Sequence, residues 1–300
     1  MKLPSIGIIG NGFVGGATAE TFKHYVDVKV YDIDPNRSVH NYWVVIKQDI
    51  LFVCLPTPMK KDGTVDVSIV DSALAQLKNA LQDYKKPVIL KSTIPPKDLV
   101  AMAEHYSPAI HLIYSPEFLT ERTAVLDFQQ SSRLIFGDHY PDDQSNFEAT
   151  DKLNENVLKI TELFENRFPK VPIYWCSMQE ASLIKYGTNV FFTVVLSFWN
   201  ELAEIAESFE LDPNEVAGMI MLDQRIGRSH WQVPGHDGDR GFGGHCFPKD
   251  INGYMHIAND QGIKPLMAGA AWATNMRVRK NRNWESDIGR AVSTDFNEDE

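Results

Sequence analysis

"SIGIIGNGFVGGATAETF", Ser5 to Phe22, is the stretch that decides the architecture. A short apolar run passes directly into Gly10-Asn11-Gly12-Phe13-Val14-Gly15, and a helix-forming segment follows at once. Strand, glycine turn and helix in that order open a dinucleotide-binding unit. The glycines permit a tight turn and let the backbone approach a pyrophosphate, which then sits at the helix N-terminus. The next strand, "VKVYD", ends at Asp32, twenty residues beyond Gly12. A carboxylate there accepts hydrogen bonds from the adenosine ribose hydroxyls and favours NAD over NADP. Arg37 is near enough in sequence to tolerate a 2′-phosphate. The cofactor residues expected from this stretch are Gly10, Gly12, Phe13, Val14, Gly15 and Asp32.

Further along, "DILFVCLPTP", "KPVILKST", "IHLIYSPEF", "SRLIFGD" and "VPIYWCS" read as more buried strands, rich in β-branched residues and closed by turn signals. Amphipathic segments such as "VSIVDSALAQLKNALQDY" lie between several of them. This alternation predicts an α/β domain over residues 1–177, a Rossmann-like, doubly wound parallel sheet with right-handed crossovers. Ligands of such sheets bind at the carboxyl ends of the strands. "CLPTP" (Cys54–Pro58) and "KSTIPP" (Lys91–Pro96) each place a threonine and prolines at such an end, so Pro56, Thr57 and Thr93 are candidates for the nicotinamide half of the site.

From about Gln179 to Glu210 the pattern becomes one long helix, apolar nearly all round in its middle, which suits burial between domains or subunits. A capped helix is expected after Asp212, with Pro213 at its first position. A loop rich in Gly, His and Asp follows, and then two more helices. Residues 178–300 are therefore expected to form an all-helical second domain around a long central helix.

The 300 residues carry a net charge of −11, which argues against a nucleic-acid partner. No apolar run approaches the roughly 20 residues that span a bilayer, so no membrane partner is expected. The three cysteines, Cys54, Cys176 and Cys246, are far apart. They suggest neither a disulfide framework nor a metal site, and fit a reducing, cytoplasmic setting. The acidic end "STDFNEDE" reads as a solvated terminus.

"GFGGHCFPKD", Gly241 to Asp250, surrounds Cys246 with a flexible, close-approaching backbone. Lys249 and Asp250 add a cation and a possible base three and four residues on. Cys54 and Cys176 sit in apolar strands and read as small buried groups.

Taken together, "GIIGNGFVG", "VYDIDP", "CLPTP", "KSTIPP", "YSPEFLTE", "EASLIKYGTN", "LDQRIG" and "GFGGHCFPKD" resemble, in order and over nearly the whole chain, the nucleotide-sugar dehydrogenases of the UDP-glucose/GDP-mannose dehydrogenase family. The resemblance implies a four-electron, NAD-dependent oxidation of a sugar C6 hydroxymethyl group to a carboxylate. It implies a thiohemiacetal and a thioester on Cys246, with Asp250 helping to activate water for hydrolysis. Lys185 and Asn189, four apart on one helix face, would stabilise the developing oxyanion and order a water. Glu121 would position water or accept protons, and Thr93 would hold the same water. Glu121 and Lys249 would also border the cofactor. Glu117, the Phe118-Leu119 backbone, Arg225 and Gly243 would contact substrate, and basic residues of the loop before Cys246 suit a diphosphate. UDP-glucose is the favoured substrate implied, with GDP-mannose and UDP-N-acetylhexosamines as alternatives, and a homodimer is expected through the apolar helix. A two-electron β-hydroxyacid dehydrogenase, which has no use for Cys246, and a non-catalytic NAD-binding protein are the competing readings.

Two departures from the family pattern stand out. About twenty residues separate Asp32 from Cys54, so "NRSVHNYWVVIKQ" is expected to be a shortened crossover. The family's second Rossmann-like domain has no counterpart in these residues. The expectation is either a shorter form that binds its nucleotide with the helical domain and a partner subunit or a truncation, with the polar ending after Trp284 reading as a true terminus.

Overall fold

Ile50, Leu51, Phe52 and Val53 are all fully buried, so the strand they form is covered on both faces. Strands of that kind belong to the middle of a largely parallel sheet flanked by helices. The computed structural model describes residues 3–81, 85–106, 109–139 and 155–296. Gln82–Tyr84, the expected end of one helical pattern, and the last four residues of the acidic tail lie outside the described residues.

Seven strands appear among the described residues: β1 (Ile6–Ile9), β2 (Val28–Tyr31), β3 (Ile50–Val53), β4 (Lys86–Leu90), β5 (Ile110–Tyr114), β6 (Leu134–Asp138) and β7 (Ile173–Ser177). They lie in the order β2-β1-β3-β4-β5-β6-β7. The helices between them are α1 (Phe13–Phe22), α2 (Tyr42–Val45), α3 (Ser68–Leu81), α4 (Pro96–Tyr106), α5 (Ala124–Gln129) and α6 (Glu155–Arg167). From β1 the chain winds first to β2 on one side and then to β3 on the other, which opens a crevice at the β1 and β3 carboxyl ends.

One pairing corrects the all-parallel expectation. β5 and β6 are antiparallel, while the other pairs are parallel. The six residues of α5 rise only about 9 Å. They are too short to return the chain past a five-residue strand of about 16 Å, so β6 runs straight back.

Alternate residues of the strands feed two cores. On one face Leu51, Val53, Val88 and Leu90 meet Leu74, Leu77, Leu99 and Met102. On the other, Phe22, Phe52, Phe128, Phe136 and Phe164 form an aromatic cluster. Phe22 and Phe164 pack edge-on at 5.2 Å, and Phe136 stacks on Trp175 at 4.9 Å. The shortened crossover is the single-turn α2, capped by the Asn41 side chain.

The chain divides into two compact units, residues 1–57 with 67–185 and residues 58–66 with 186–300. Two features differ from the expected boundary at 177/178. The division falls inside α7 (Met178–Ser208), and residues 58–66 group with the second unit. Backbone bonds explain the latter: Met59 N donates to Ala291 O and Ser293 N to Met59 O. The Met59 side chain is buried with Trp284, Ala291 and Val292.

The second unit also contains α8 (Pro213–Ile220), α9 (Phe247–Asp260) and α10 (Leu266–Val278). As expected, Asp212 caps α8 by accepting from Asn214 N, and Pro213 is its first residue. Val190, Phe242, Ile251, Ala268 and Ala271 form one core, and Trp199, Ala203, Ala217, Met221 and Val233 another.

α7 departs from the sequence reading in one respect: by length and composition it is able to cross a membrane, although half of its most apolar stretch is buried within the protein. Polar residues break the apolar run, and they lie on one buried face: Ser182, Lys185, Asn189, Thr193, Ser197 and Asn200. Spaced three or four apart, they form an inward polar stripe. On the opposite side Ile184, Phe191, Phe198 and Ile205, seven residues apart, are exposed.

Candidate active site

In the first unit, the glycine turn leaves β1 at Gly10, whose backbone has φ +94°. A Cβ there would stand 2.3 Å from Cys54 O, and one on Gly15 would stand 1.8 Å from Gly10 O. These two positions are therefore closed to any other residue. Gly12, by contrast, caps α1 and has open space where its Cβ would be. Asp32 reaches the same turn: Oδ2 accepts from Asn11 N at 2.6 Å and Oδ1 from Asp34 N at 2.9 Å. An open cradle at a helix N-terminus, with a carboxylate at the end of β2, fits the pyrophosphate and ribose of NAD. Phe13 and Val14 begin α1 immediately after the cradle, and Arg37 is turned toward Asp34.

The turns after β3 and β4 are knitted together. Thr57 Oγ1 donates to Thr93 O at 2.8 Å, and Ser92 Oγ to Leu55 O at 2.6 Å. Pro56 is exposed beside the buried Thr57. Ser182 of α7 donates to Ile94 O at 2.7 Å, which ties the helix to the same turn.

Behind these turns lies a cation that the sequence reading missed. Lys91 is buried, forms an ion pair with Glu117, donates to Ser115 Oγ at 3.2 Å and lies 5.3 Å from the Phe128 ring centroid. Burial pushes its ammonium down to about 7, against the pull of nearby Cys54. The Glu117 carboxylate it touches also opposes that shift, because an adjacent anion favours the charged form. A lysine at the mouth of an otherwise apolar strand was the available signal. Glu117 is thus held in place by a charge partner, whereas Glu121 is exposed at the start of a 3₁₀ turn (Glu121–Thr123). Phe118 and Leu119 are half-buried, and the Lys185 ammonium is 5.7 Å from the Phe118 ring centroid.

In the second unit, Cys246 is the N-cap residue of α9, with Pro248 in the first turn. Asp250 N donates to Cys246 O at 2.9 Å. The Asp250 carboxylate is fully buried and held on both sides. Lys249 Nζ lies 2.5 Å from Oδ1, and Asn189 Nδ2 donates to Oδ2 at 2.5 Å. Lys249 therefore neutralises the carboxylate that would otherwise repel a thiolate one turn away. His245 forms an ion pair with Asp287. Its setting gives no reason to pair it with the cysteine.

The other two cysteines are unsuited to nucleophilic work. Burial pushes Cys54 up to about 12, with Lys91 pulling the other way. Burial, and then the Glu180 charge, push Cys176 up to about 11, opposed by a backbone hydrogen bond from Ala181. None of the three cysteines forms a disulfide, and no cluster of metal-binding side chains occurs among the described residues.

Two basic residues of the loop have acidic partners. Arg225 is exposed and bonds Asp223, and Arg240 pairs with Glu207. Gly243 sits against Arg279 and Asn283.

Residues 41–158 match the NAD binding domain of the UDP-glucose/GDP-mannose dehydrogenase family, and residues 179–277 match its central domain. The chain is 30% identical over 259 residues to UDP-glucose 6-dehydrogenase AglM of Haloferax volcanii, with 83% of this chain and 57% of AglM covered. It spans about half the length of the curated relatives it matches. The fold is that of a UDP-glucose dehydrogenase structure from Pyrobaculum islandicum, with TM-score 0.77 at 23% identity, covering 92% of this chain and 68% of that one. It also matches a GDP-mannose dehydrogenase structure from Pseudomonas aeruginosa, with TM-score 0.62 at 22% identity, covering 91% and 68%. With both matched domains in order along one chain, this protein belongs to the UDP-glucose/GDP-mannose dehydrogenase family, of which it carries the NAD-binding and central domains.

Proposed function

We propose that this chain oxidises the C6 hydroxymethyl group of a nucleotide sugar to a carboxylate, with UDP-glucose the favoured substrate and UDP-glucuronate the product. The observation that carries this reading is the buried Lys249–Asp250–Asn189 cluster one helical turn from Cys246, in a chain that also holds an NAD-binding turn. A simple two-electron alcohol dehydrogenase has no use for a thiol so placed. NAD⁺, when bound, supplies the two-electron acceptor for each of two oxidations.

The chain's own residues account for the remaining steps. In the first oxidation a hydride leaves C6 and the hydroxyl proton passes to a base. Lys185 and Asn189 stabilise the developing oxyanion, and Glu121 and Thr93 hold the water that takes the proton. The Cys246 thiolate adds to the aldehyde carbon, forming a C–S bond, and protonation of the oxygen completes the thiohemiacetal. Loss of a second hydride and that proton leaves a thioester. Asp250 helps activate the water that cleaves the C–S bond, releasing the carboxylate and restoring the thiol. Glu117, the Phe118-Leu119 backbone, Arg225 and Gly243 hold the substrate. Pro56, Thr57, Glu121 and Lys249 border the cofactor. The setting proposed is the cytoplasm, which keeps Cys246 reduced.

NADH formed per sugar consumed tests this directly. Two NADH per UDP-glucose is the expected result. Two per GDP-mannose or per UDP-N-acetylhexosamine, with UDP-glucose inert, transfers the reading to that substrate. One NADH per sugar overturns the four-electron reading, and no turnover with any of them leaves a non-catalytic NAD-binding protein.

We also propose that the active form is a homodimer. The exposed stripe of Ile184, Phe191, Phe198 and Ile205 supports this, since a seven-residue apolar spacing suits a second copy of the same helix. Light scattering is expected to give twice the 33.9 kDa chain mass. The double substitution Phe191→Glu with Phe198→Glu is expected to give a folded monomer. A monomeric wild type rejects the dimer.

A further inference from the structure

The segment before Cys246 lacks regular structure, yet side chains from four other places in the second unit hold its backbone. Asn200 of α7 accepts from Gly241 N at 3.0 Å. Asn275 of α10, fully buried, accepts from Phe242 N at 2.7 Å and donates to Phe242 O at 3.0 Å. Asn283 accepts from Gly244 N at 3.1 Å, and Arg279 Nη1 donates to Arg240 O at 3.4 Å.

Arg279 is the centre of this arrangement. Its guanidinium is buried, with Nη2 2.6 Å from Asp237 Oδ2, Nε 3.6 Å from Asp239 Oδ2, and Nε donating to Asn281 O at 2.8 Å. Asp239 in turn accepts from the backbone N–H groups of Lys280 and Asn281. A Cβ on Gly243 would stand 2.6 Å from both Arg279 Nη2 and Asn283 Oδ1, so the segment is pressed directly onto these two side chains. A buried arginine with two carboxylates and two carbonyls uses the planar fork that a lysine lacks.

We propose that Arg279, acting with Asn275 and Asn283 on residues 240–244, is a positioning residue that sets the placement of Cys246 at the head of α9. This rests on the reading of Cys246 as the residue that holds the aldehyde. The clamp stiffens a chain whose glycines would otherwise sample many conformations, and it matters most for the second oxidation, which starts from the covalent adduct. Small misplacements of a reacting group cost up to about 10²-fold in rate.

The test compares wild type, Arg279→Lys, Arg279→Met and Asn283→Ala. Asn283 is exposed, so its alanine variant is expected to fold even where an Arg279 variant does not. Two readouts are taken. The first is the pH profile of Cys246 alkylation by iodoacetamide, followed by peptide mass and needing neither sugar nor cofactor. The second is the partition between released aldehyde, trapped with a carbonyl reagent, and acid. The expected result is an alkylation midpoint raised by about one pH unit in Arg279→Lys and Asn283→Ala. Acid formation should fall about ten-fold or more relative to aldehyde, with NAD affinity unchanged. Alkylation profiles and partition like wild type, with only a lower melting temperature, reduce the clamp to a structural role and overturn the proposal. If wild type fails to oxidise the sugar twice, the proposed function fails, while the alkylation arm still decides the clamp.

Discussion

Cys246→Ser is expected to lower carboxylate formation by about 10³-fold or more, equivalent to about 4 kcal/mol of transition-state stabilisation. It should also hold NADH yield at no more than one per sugar. A serine hydroxyl is far less ionised than a thiol at neutral pH and is a poorer leaving group in the hydrolysis step. The remaining cysteines offer no substitute, because burial pushes Cys54 up to about 12 and Cys176 up to about 11. Both stay protonated at pH 8, so loss of the thiol should be complete in effect. The measurement is NADH and acid per sugar, with aldehyde trapping. Two NADH per sugar from the serine variant at the wild-type rate would sink the covalent mechanism and return Cys246 to a loop residue.

Gly15→Ala should abolish NAD binding and destabilise the first unit together. Its Cβ would stand 1.8 Å from Gly10 O, a backbone atom that cannot move without breaking the turn. Overpacking of this severity costs about 3 kcal/mol, or a melting temperature lower by roughly 6–12 °C. NAD affinity is expected to fall by at least about 10²-fold, as cofactor titration would reveal. Gly12→Ala is the informative contrast, since nothing lies within 4 Å of the added carbon. Its melting temperature should match wild type while its NAD affinity falls. Unchanged affinity in Gly12→Ala would mean that the pyrophosphate does not occupy this cradle.

The seven strands were legible because each is a short, mostly apolar run closed by turn residues, and the central ones, buried on both faces, must read that way. The glycine turn and the placement of Asp32 beside it were legible for a related reason: both depend on spacing within about twenty residues. α7 was legible as a helix, but its polar stripe was not read as an anchoring face. Ser182 bonds a carbonyl 88 residues away and Asn189 a carboxylate 61 residues away. Lys91 and Arg279 were missed for the same reason. Their partners lie on other elements, and each looks like an ordinary basic residue in the linear chain.

By itself, then, the sequence determined the strand and helix order, the cofactor turn and the family motifs around Cys246, because each is encoded by local patterns of burial, backbone freedom and spacing. The tertiary structure alone decided that β6 runs antiparallel to β5, that residues 58–66 join the second unit, and that Lys91, Asp250 and the glycine segment acquire their partners. Those outcomes depend on hydrogen bonds and ion pairs between groups distant in sequence, formed only once packing has removed water and brought them within reach.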